Sequence, residues 1–208
     1  MATLYYVIDP MCSWCWGFRP VMDEVLLRLP DDIQLRYIMG GLAPDTERPM
    51  PALMQQKLQD TWRLVAERTG ATFNFEFWKR CKPRRATYPA NRAVLAAGLQ
   101  GKPHVPAMIA AIQQAYYVQA RNPSDTKTLI ELAGEIGLDA VRFARDLESQ
   151  AVQERFEADL ALARHLGIQG FPSLLLEQDG HFRWIAYGYA PAAPVVARLQ
   201  QATATLQP

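Results

Sequence analysis

Asp9-Pro10-Met11-Cys12-Ser13-Trp14-Cys15-Trp16-Gly17 is the stretch that decides how this chain is read. It follows the apolar run Leu4-Tyr5-Tyr6-Val7-Ile8, a buried strand, and precedes a helical stripe at Phe18, Val21, Met22, Val25, Leu26 and Leu29. Thiols at i and i+3 of a helix start lie close enough to close a small disulfide ring. Cys12 also meets backbone N–H groups that lack helical partners and stabilise a thiolate. The arrangement suits reversible redox chemistry. The same spacing supplies half of many zinc sites, so the remaining soft ligands matter. Cys81, His104, His165 and His181 make no second pair at ligand spacing, and no metal is expected. Two cysteines acting as small buried hydrophobes remain the other alternative at this point.

A second element lies far along the chain. Gly170-Phe171-Pro172-Ser173 leads into Leu174-Leu175-Leu176-Glu177, a buried strand that starts beside a proline. X-Pro is the one bond that adopts cis at modest cost, so Phe171-Pro172 is either a cis junction or an ordinary trans turn.

Composition bounds the class. With 208 residues, 50% apolar and 21% charged, the chain is long enough for one cored domain, or for a domain carrying a sizeable insertion. Lys+Arg at 22 against Asp+Glu at 21 leaves a net charge of +1, which implies neither nucleic acid nor an anionic membrane as partner. No apolar run approaches a membrane span. The apolar segment after Met1-Ala2-Thr3 ends at Asp9-Pro10, too short for a secretory core, so the expected location is the cytoplasm. In that reducing compartment the pair rests as a dithiol and cycles through the disulfide.

Along the chain, Ile33–Met39 alternates as a second strand after the break at Pro30-Asp31-Asp32, and Gly40-Gly41 ends it. Pro20 falls in the first turn, or at a kink, of the helix expected from Trp16 to Leu29. From about Pro51 to His165 every strong pattern is helical, with Asp125 and Asp139 as N-cap candidates. Ser173–Leu176, Asp179-Gly180 and Phe182–Tyr187 then read as strand, turn and strand, and a helix over Pro191–Leu206 closes the chain.

The order is β-α-β, a helical block, then β-β-α. With these elements and its Cys-Ser-Trp-Cys pair, the chain resembles the DsbA family of thioredoxin-like oxidoreductases, in the signal-less branch of predicted protein-disulfide isomerases and with FrnE-like relatives. Ala86-Thr87-Tyr88-Pro89-Ala90-Asn91-Arg92 is similar to a helical-block motif of FrnE-like and kappa-class proteins, with Ala86 in place of its asparagine. The resemblance implies an α/β thioredoxin fold made of residues 1–41 and 166–208, with residues 42–165 as an inserted all-helical domain. It also implies a cis Phe171-Pro172 facing the cysteines, with Phe171 offering backbone hydrogen bonds to an extended substrate.

Roles follow from thiol chemistry. Cys12 is the expected nucleophile and Cys15 the resolving thiol. Ser13 is placed to hydrogen-bond a thiolate and tune the pair, and Trp14 to form an apolar rim for substrate. Trp16 is expected in the core or at a domain interface. Relatives carry a buried acid six residues before the first cysteine, where this chain has Tyr6. Asp9, the nearest carboxylate, reads as a loop-fixing residue ahead of a proton carrier. Cys81 sits in Trp78-Lys79-Arg80-Cys81-Lys82-Pro83-Arg84-Arg85, a cationic setting that would lower the pKa of an exposed thiol, although a buried cysteine without function is the favoured reading. His104 and His165 read as structural, and His181 as a hairpin-turn residue.

The expected activity is thiol–disulfide exchange with protein or small-thiol substrates, by a monomer or homodimer, without a bound cofactor and with glutathione as a candidate co-substrate. Two alternatives stand beside it. One is a kappa-class-like glutathione-dependent transferase or isomerase, against which the paired cysteines argue. The other is a non-enzymatic peptide-binding or chaperone module.

Overall fold

The computed structural model describes residues 2–204. Strand β1 (Ala2–Ile8) leads into helices α1 (Ser13–Gly17) and α2 (Arg19–Leu26), and the chain returns as β2 (Ile33–Met39). β1 and β2 pair in parallel from Ala2↔Ile33 to Ile8↔Met39. Seven helices follow: α3 (Ala52–Thr69), α4 (Phe77–Arg80), α5 (Tyr88–Gly98), α6 (His104–Tyr117), α7 (Thr126–Glu135), α8 (Ala140–Leu147) and α9 (Gln150–His165). The hairpin of β3 (Ser173–Gln178) and β4 (His181–Tyr187) and helix α10 (Ala192–Ala204) complete the fold. The sheet runs β2-β1-β3-β4, with β3 antiparallel to both of its neighbours. This is the thioredoxin-like α/β arrangement, with α3 to α9 between β2 and β3.

β1 is buried on both faces, which is why its sequence is an apolar run instead of a clean alternation. One face carries Leu4, Tyr6 and Ile8 into the main core with α2 and α10. The other sets Val7, Ile38 and Leu175 against Ala163 of α9. α9 is further tied to the sheet by Asp159, whose carboxylate accepts the Met39 N–H at 3.0 Å at the end of β2.

Local details depart from the sequence reading. The single helix expected over Trp16–Leu29 starts earlier, at Ser13, and divides at Phe18 into α1 and α2. Pro20 lacks an N–H but sits in the first turn of α2, where none is needed, so the chain restarts a helix there. α2 ends at Leu26, and Leu27 is exposed. Asp139 caps α8 by accepting the Arg142 N–H at 2.9 Å. Asp125 occupies the N-cap position of α7 without a cap hydrogen bond, because its carboxylate pairs with Arg84 at 2.9 Å and accepts from Asn122 at 3.0 Å. His181 is the first residue of β4, paired with Gln178, while Asp179 and Gly180 make the turn with φ of 51° and 80°. The closing helix is seen through Ala204, and the remainder of the expected span lies outside the described residues.

The helices have their own core around Trp62. Its ring lies 5.3 Å from Phe73, 5.8 Å from Phe75, 4.9 Å from Trp78 and 5.3 Å from both Tyr116 and Tyr117. Tyr117 stacks in turn on Trp16 of α1 at 5.7 Å and 18°, and Trp16 Nε1 donates to Thr72 O at 3.0 Å. One aromatic network therefore runs from the helical core to the helix that carries the cysteines. Trp62→Ala should destabilise the protein by about 3–5 kcal/mol in urea unfolding, the range for a buried aromatic cut to Ala. A loss under about 1 kcal/mol would remove Trp62 as the centre of that core.

Candidate active site

The turn after β1 sets the first thiol. Cys12 N donates to Asp9 O at 3.0 Å, and Cys12, with φ −83° and ψ 118°, is the N-cap residue of α1. Its sulfur faces the N–H groups of Trp14 and Cys15, and the two cysteines are free thiols. The Cys12 pKa is lowered from the ordinary thiol value, chiefly by a hydrogen bond from the Cys15 thiol and further by those two backbone N–H groups, against burial and the Asp9 charge. The Cys15 pKa is pushed well up by burial, by its bond to Cys12 and by the Cys12 charge. Cys12 keeps 7% of its surface and Cys15 none, so only Cys12 is reachable from solvent. The pair is chemically asymmetric.

Opposite it stands the head of β3. The Phe171–Pro172 bond is cis, Gly188 N donates to Pro172 O at 2.8 Å, and Ser173 Oγ donates to Gly170 O at 2.9 Å. Phe171 O lies 3.7 Å from Cys12 Sγ, across 159 residues of sequence. The Phe171 ring rests on the Gly40 backbone, where a Cβ would come within 2.1 Å of it. Trp14 is half-buried, its ring 5.6 Å from Tyr189 on the β4–α10 connection. The structure thus brings together Cys12, Cys15, Trp14, Phe171 and Pro172. Ser13 begins α1, and the main donors to Cys12 are the Cys15 thiol and the backbone N–H groups of Cys15 and Trp14.

Asp9 is fully buried and holds the loop. Its Oδ1 accepts from Met11 N at 2.8 Å, and its Oδ2 accepts from Leu42 N at 2.7 Å, Thr87 Oγ1 at 2.7 Å and Asn91 Nδ2 at 2.9 Å. Burial raises its pKa and the four hydrogen bonds oppose that rise. Sequence reasoning missed Thr87, Asn91 and Tyr189 as site neighbours. The only signal was the i, i+4 placement of Thr87 and Asn91 in the motif-like stretch 86–92. Tyr6 is buried between Phe18 and Tyr37, at ring distances of 6.2 and 5.8 Å.

At Cys81 the basic run does not activate the thiol. Its pKa is raised by burial and by Asp125, with only Arg80 opposing, and its Sγ donates to Ala120 O at 3.2 Å. Two of the neighbouring cations are engaged elsewhere, Lys79 with Glu76 at 2.7 Å and Arg84 with Asp125 at 2.9 Å. A cavity of about 710 Å³ bordered by Asp45, Glu47, Arg84, Arg92 and Glu148 lies apart from the cysteines. Its arginines are already paired, Arg92 through a two-pronged contact with Asp45 at 2.8 Å and 2.8 Å.

A family model described as thioredoxin matches residues 5–181. Among solved structures, a candidate protein disulfide isomerase from Nitrosomonas europaea superposes with a TM-score of 0.84 at 30% identity, covering 98% of this chain and 96% of that one. The cytosolic disulfide reductase DsbM from Pseudomonas aeruginosa, also solved with GSH, superposes at 0.80 with 27% identity and 98% coverage of each chain. The ClpXP adapter protein SpxH of Bacillus subtilis (strain 168) is 26% identical over 183 residues, 86% of this chain and 59% of its own. The chain therefore spans less than two thirds of that relative.

Two outcomes test the geometry. Iodoacetamide should label Cys12 ahead of Cys81 and leave Cys15 unmodified in the native protein, with a Cys12 midpoint below the ordinary thiol value near ~8.5. Equal labelling of Cys81 and Cys12, read by peptide mass spectrometry, would contradict the assignment. Gly40→Ala should turn the Phe171 ring away and lower stability by about 1–3 kcal/mol, the range for overpacking. An unchanged urea midpoint would show that the ring does not depend on Gly40.

Proposed function

We propose, for a chain that belongs to the thioredoxin family in its DsbA-like branch, a thiol–disulfide oxidoreductase in which Cys12 attacks and Cys15 resolves. The observation that carries this reading is geometric: Cys12 caps α1 within 3.7 Å of the Phe171 carbonyl and reaches the surface, while Cys15 one turn on is fully buried. A nucleophile must be a thiolate at working pH, and a resolving thiol serves best when it stays protonated until the mixed disulfide forms.

The Cys12 thiolate attacks one sulfur of a substrate disulfide, forms a Cys12–substrate disulfide and releases the other sulfur as a thiolate that takes up a proton. Cys15 then loses its proton and attacks the Cys12 sulfur. The substrate leaves as its second thiol, two electrons have passed to it, and Cys12–Cys15 ends as a disulfide. Two glutathione molecules restore the dithiol and become glutathione disulfide. Run backwards, the same steps oxidise a substrate dithiol.

Phe171 O and the cis Pro172 form the wall along which an extended substrate would lie, with Trp14 and Tyr189 as its apolar border. Glutathione as co-substrate is supported by the relative solved with GSH. A cytoplasmic location is supported by the description of that relative as cytosolic, and no helix among the described residues is long and apolar enough to cross a membrane. A second reading is a protein-binding role, favoured by relatives named as ClpXP adapters. On that reading the protein holds a partner whether or not its thiols react.

Substitution separates the two. Cys12→Ser should reduce glutathione-coupled disulfide reduction to the rate without protein, and Cys15→Ser should accumulate mixed disulfides visible on non-reducing gels. Full turnover by Cys12→Ser would remove the exchange reading. A partner retained by the Cys12→Ser/Cys15→Ser double variant would favour the adapter reading.

A further inference from the structure

The chemistry above runs in either direction, and the turn before Cys12 holds a group that acts on the two directions unequally. Around the Asp9 carboxylate every close polar neighbour is a donor: the N–H groups of Met11 and Leu42, the Thr87 hydroxyl and the Asn91 amide, at 2.7–2.9 Å. The Thr87 oxygen accepts from Ala43 N at 3.0 Å, which turns its proton toward Asp9 Oδ2 at 2.7 Å; the alternative acceptor, Ala43 O, is farther off at 3.4 Å. An ionised carboxylate accepts such a set, whereas a protonated one would bring its own hydrogen against a donor. The four donors are uncharged, so they hold the negative charge without cancelling it. Titratable groups that feel the Asp9 charge include Cys12 and Cys15 on α1 and Tyr116 and Tyr117 on α6, and the Arg85 cation also acts on Tyr116. Burial keeps both tyrosines neutral, so Cys12 is the group that adds charge there on reduction.

From this geometry we infer that Asp9 sets the direction of electron flow: its buried, ionised carboxylate destabilises the reduced pair and biases the site toward donating electrons to disulfides. Only the dithiol state carries a thiolate, and the disulfide carries no charge for Asp9 to repel. A fixed negative charge therefore raises the free energy of the reduced form alone and makes the couple more reducing. Thr87 and Asn91 belong to the device, because their hydrogen bonds from α5 keep the carboxylate ionised against its burial. Asp9 acts through Cys12 and is a positioning residue, not a catalytic one. The inference rests on the exchange reading and adds to it the class of substrate favoured at equilibrium, the oxidised one.

The test measures the Cys12 thiolate by absorbance at 240 nm and the Cys12–Cys15 equilibrium in glutathione buffers, for the native chain and Asp9→Asn. The variant should show a Cys12 pKa lower by about one unit, and an equilibrium shifted up to about tenfold toward the dithiol, or about 30 mV more oxidising. In the native protein, carbon-13 resonances of labelled aspartate should show Asp9 ionised at pH 7 and responsive to reduction of the pair; this arm stands if Asp9→Asn fails to fold. An Asp9 carboxyl protonated at pH 7, or a folded Asp9→Asn with unchanged Cys12 pKa and potential, would overturn the inference. If the native chain does not exchange with glutathione at all, the exchange reading itself fails. Exchange with an unmoved Asp9→Asn potential leaves that reading intact and removes only the role of Asp9.

Discussion

The antiparallel ladder between β1 and β3 is the constraint on which the site depends. It runs from Thr3↔Glu177 to Val7↔Ser173, so the end of β1 and the start of β3 lie side by side. The turn carrying Cys12 leaves one of these ends and Phe171-Pro172 enters the other, which is how 159 residues of separation become 3.7 Å. The parallel pairing of β1 with β2 adds a third end to the same place, because Gly40 N donates to Ile8 O at 2.7 Å. Gly40 then lies beneath the Phe171 ring. Loop ends converge at one edge of such a sheet, where ligand crevices of open α/β folds are found. A slip of one residue in the ladder would reverse every side chain of β1 and carry its core face to the wrong layer, so burial holds the register.

The helices between β2 and β3 help to build this site. Trp16 stacks on Tyr117, which joins α1 to the aromatic cluster around Trp62. Asp159 of α9 accepts the N–H at the end of β2, and Thr87 and Asn91 reach Asp9 from α5. Taking one carboxylate out of water costs several kcal/mol. Four hydrogen bonds to a charged acceptor, at about 1.5–3 kcal/mol each, are of the size needed to offset that. Two of the four come from α5. The turn before Cys12 would therefore be short of half its donors without the helical segment, and the charge at its centre would not be tolerated.

The parts that were legible in the sequence rest on local signals. Apolar runs and alternation marked β1, β2 and β3, Asp179-Gly180 marked the hairpin, and the thiol spacing marked the start of α1. Signals that depend on distant partners were not legible. Asp125 has the residue type and position of a cap, yet Arg84 draws its carboxylate away. Cys81 lies in a basic run, yet Lys79 and Arg84 turn to Glu76 and Asp125, and burial outweighs Arg80 in setting the direction of its pKa. Asp9 was legible as a loop-fixing residue. Its donors at Thr87 and Asn91 lie 78 and 82 residues away, and no periodicity joins them. The division at Phe18 was missed because the apolar stripe continues across the break, so the spacing alone describes one helix.

The same distinction between near and distant partners governs the redox pair. The groups that favour a thiolate at Cys12 are local: the Cys15 thiol and the N–H groups of Trp14 and Cys15 all come with the Cys-x-x-Cys turn. Any chain that starts a helix at such a turn acquires them, so they account for reactivity but do not distinguish one member of the fold from another. The opposing charge at Asp9 is of a different kind. Its carboxylate is met by donors from Leu42, past the end of β2, and from Thr87 and Asn91, at the start of α5. On the proposed reading, the turn itself favours the Cys12 thiolate, whereas the charge that opposes it comes with the chain packed around the turn. On that reading, two chains with the same thiol spacing and the same sheet can differ in redox direction through residues outside the motif, beside what the two residues between the cysteines contribute.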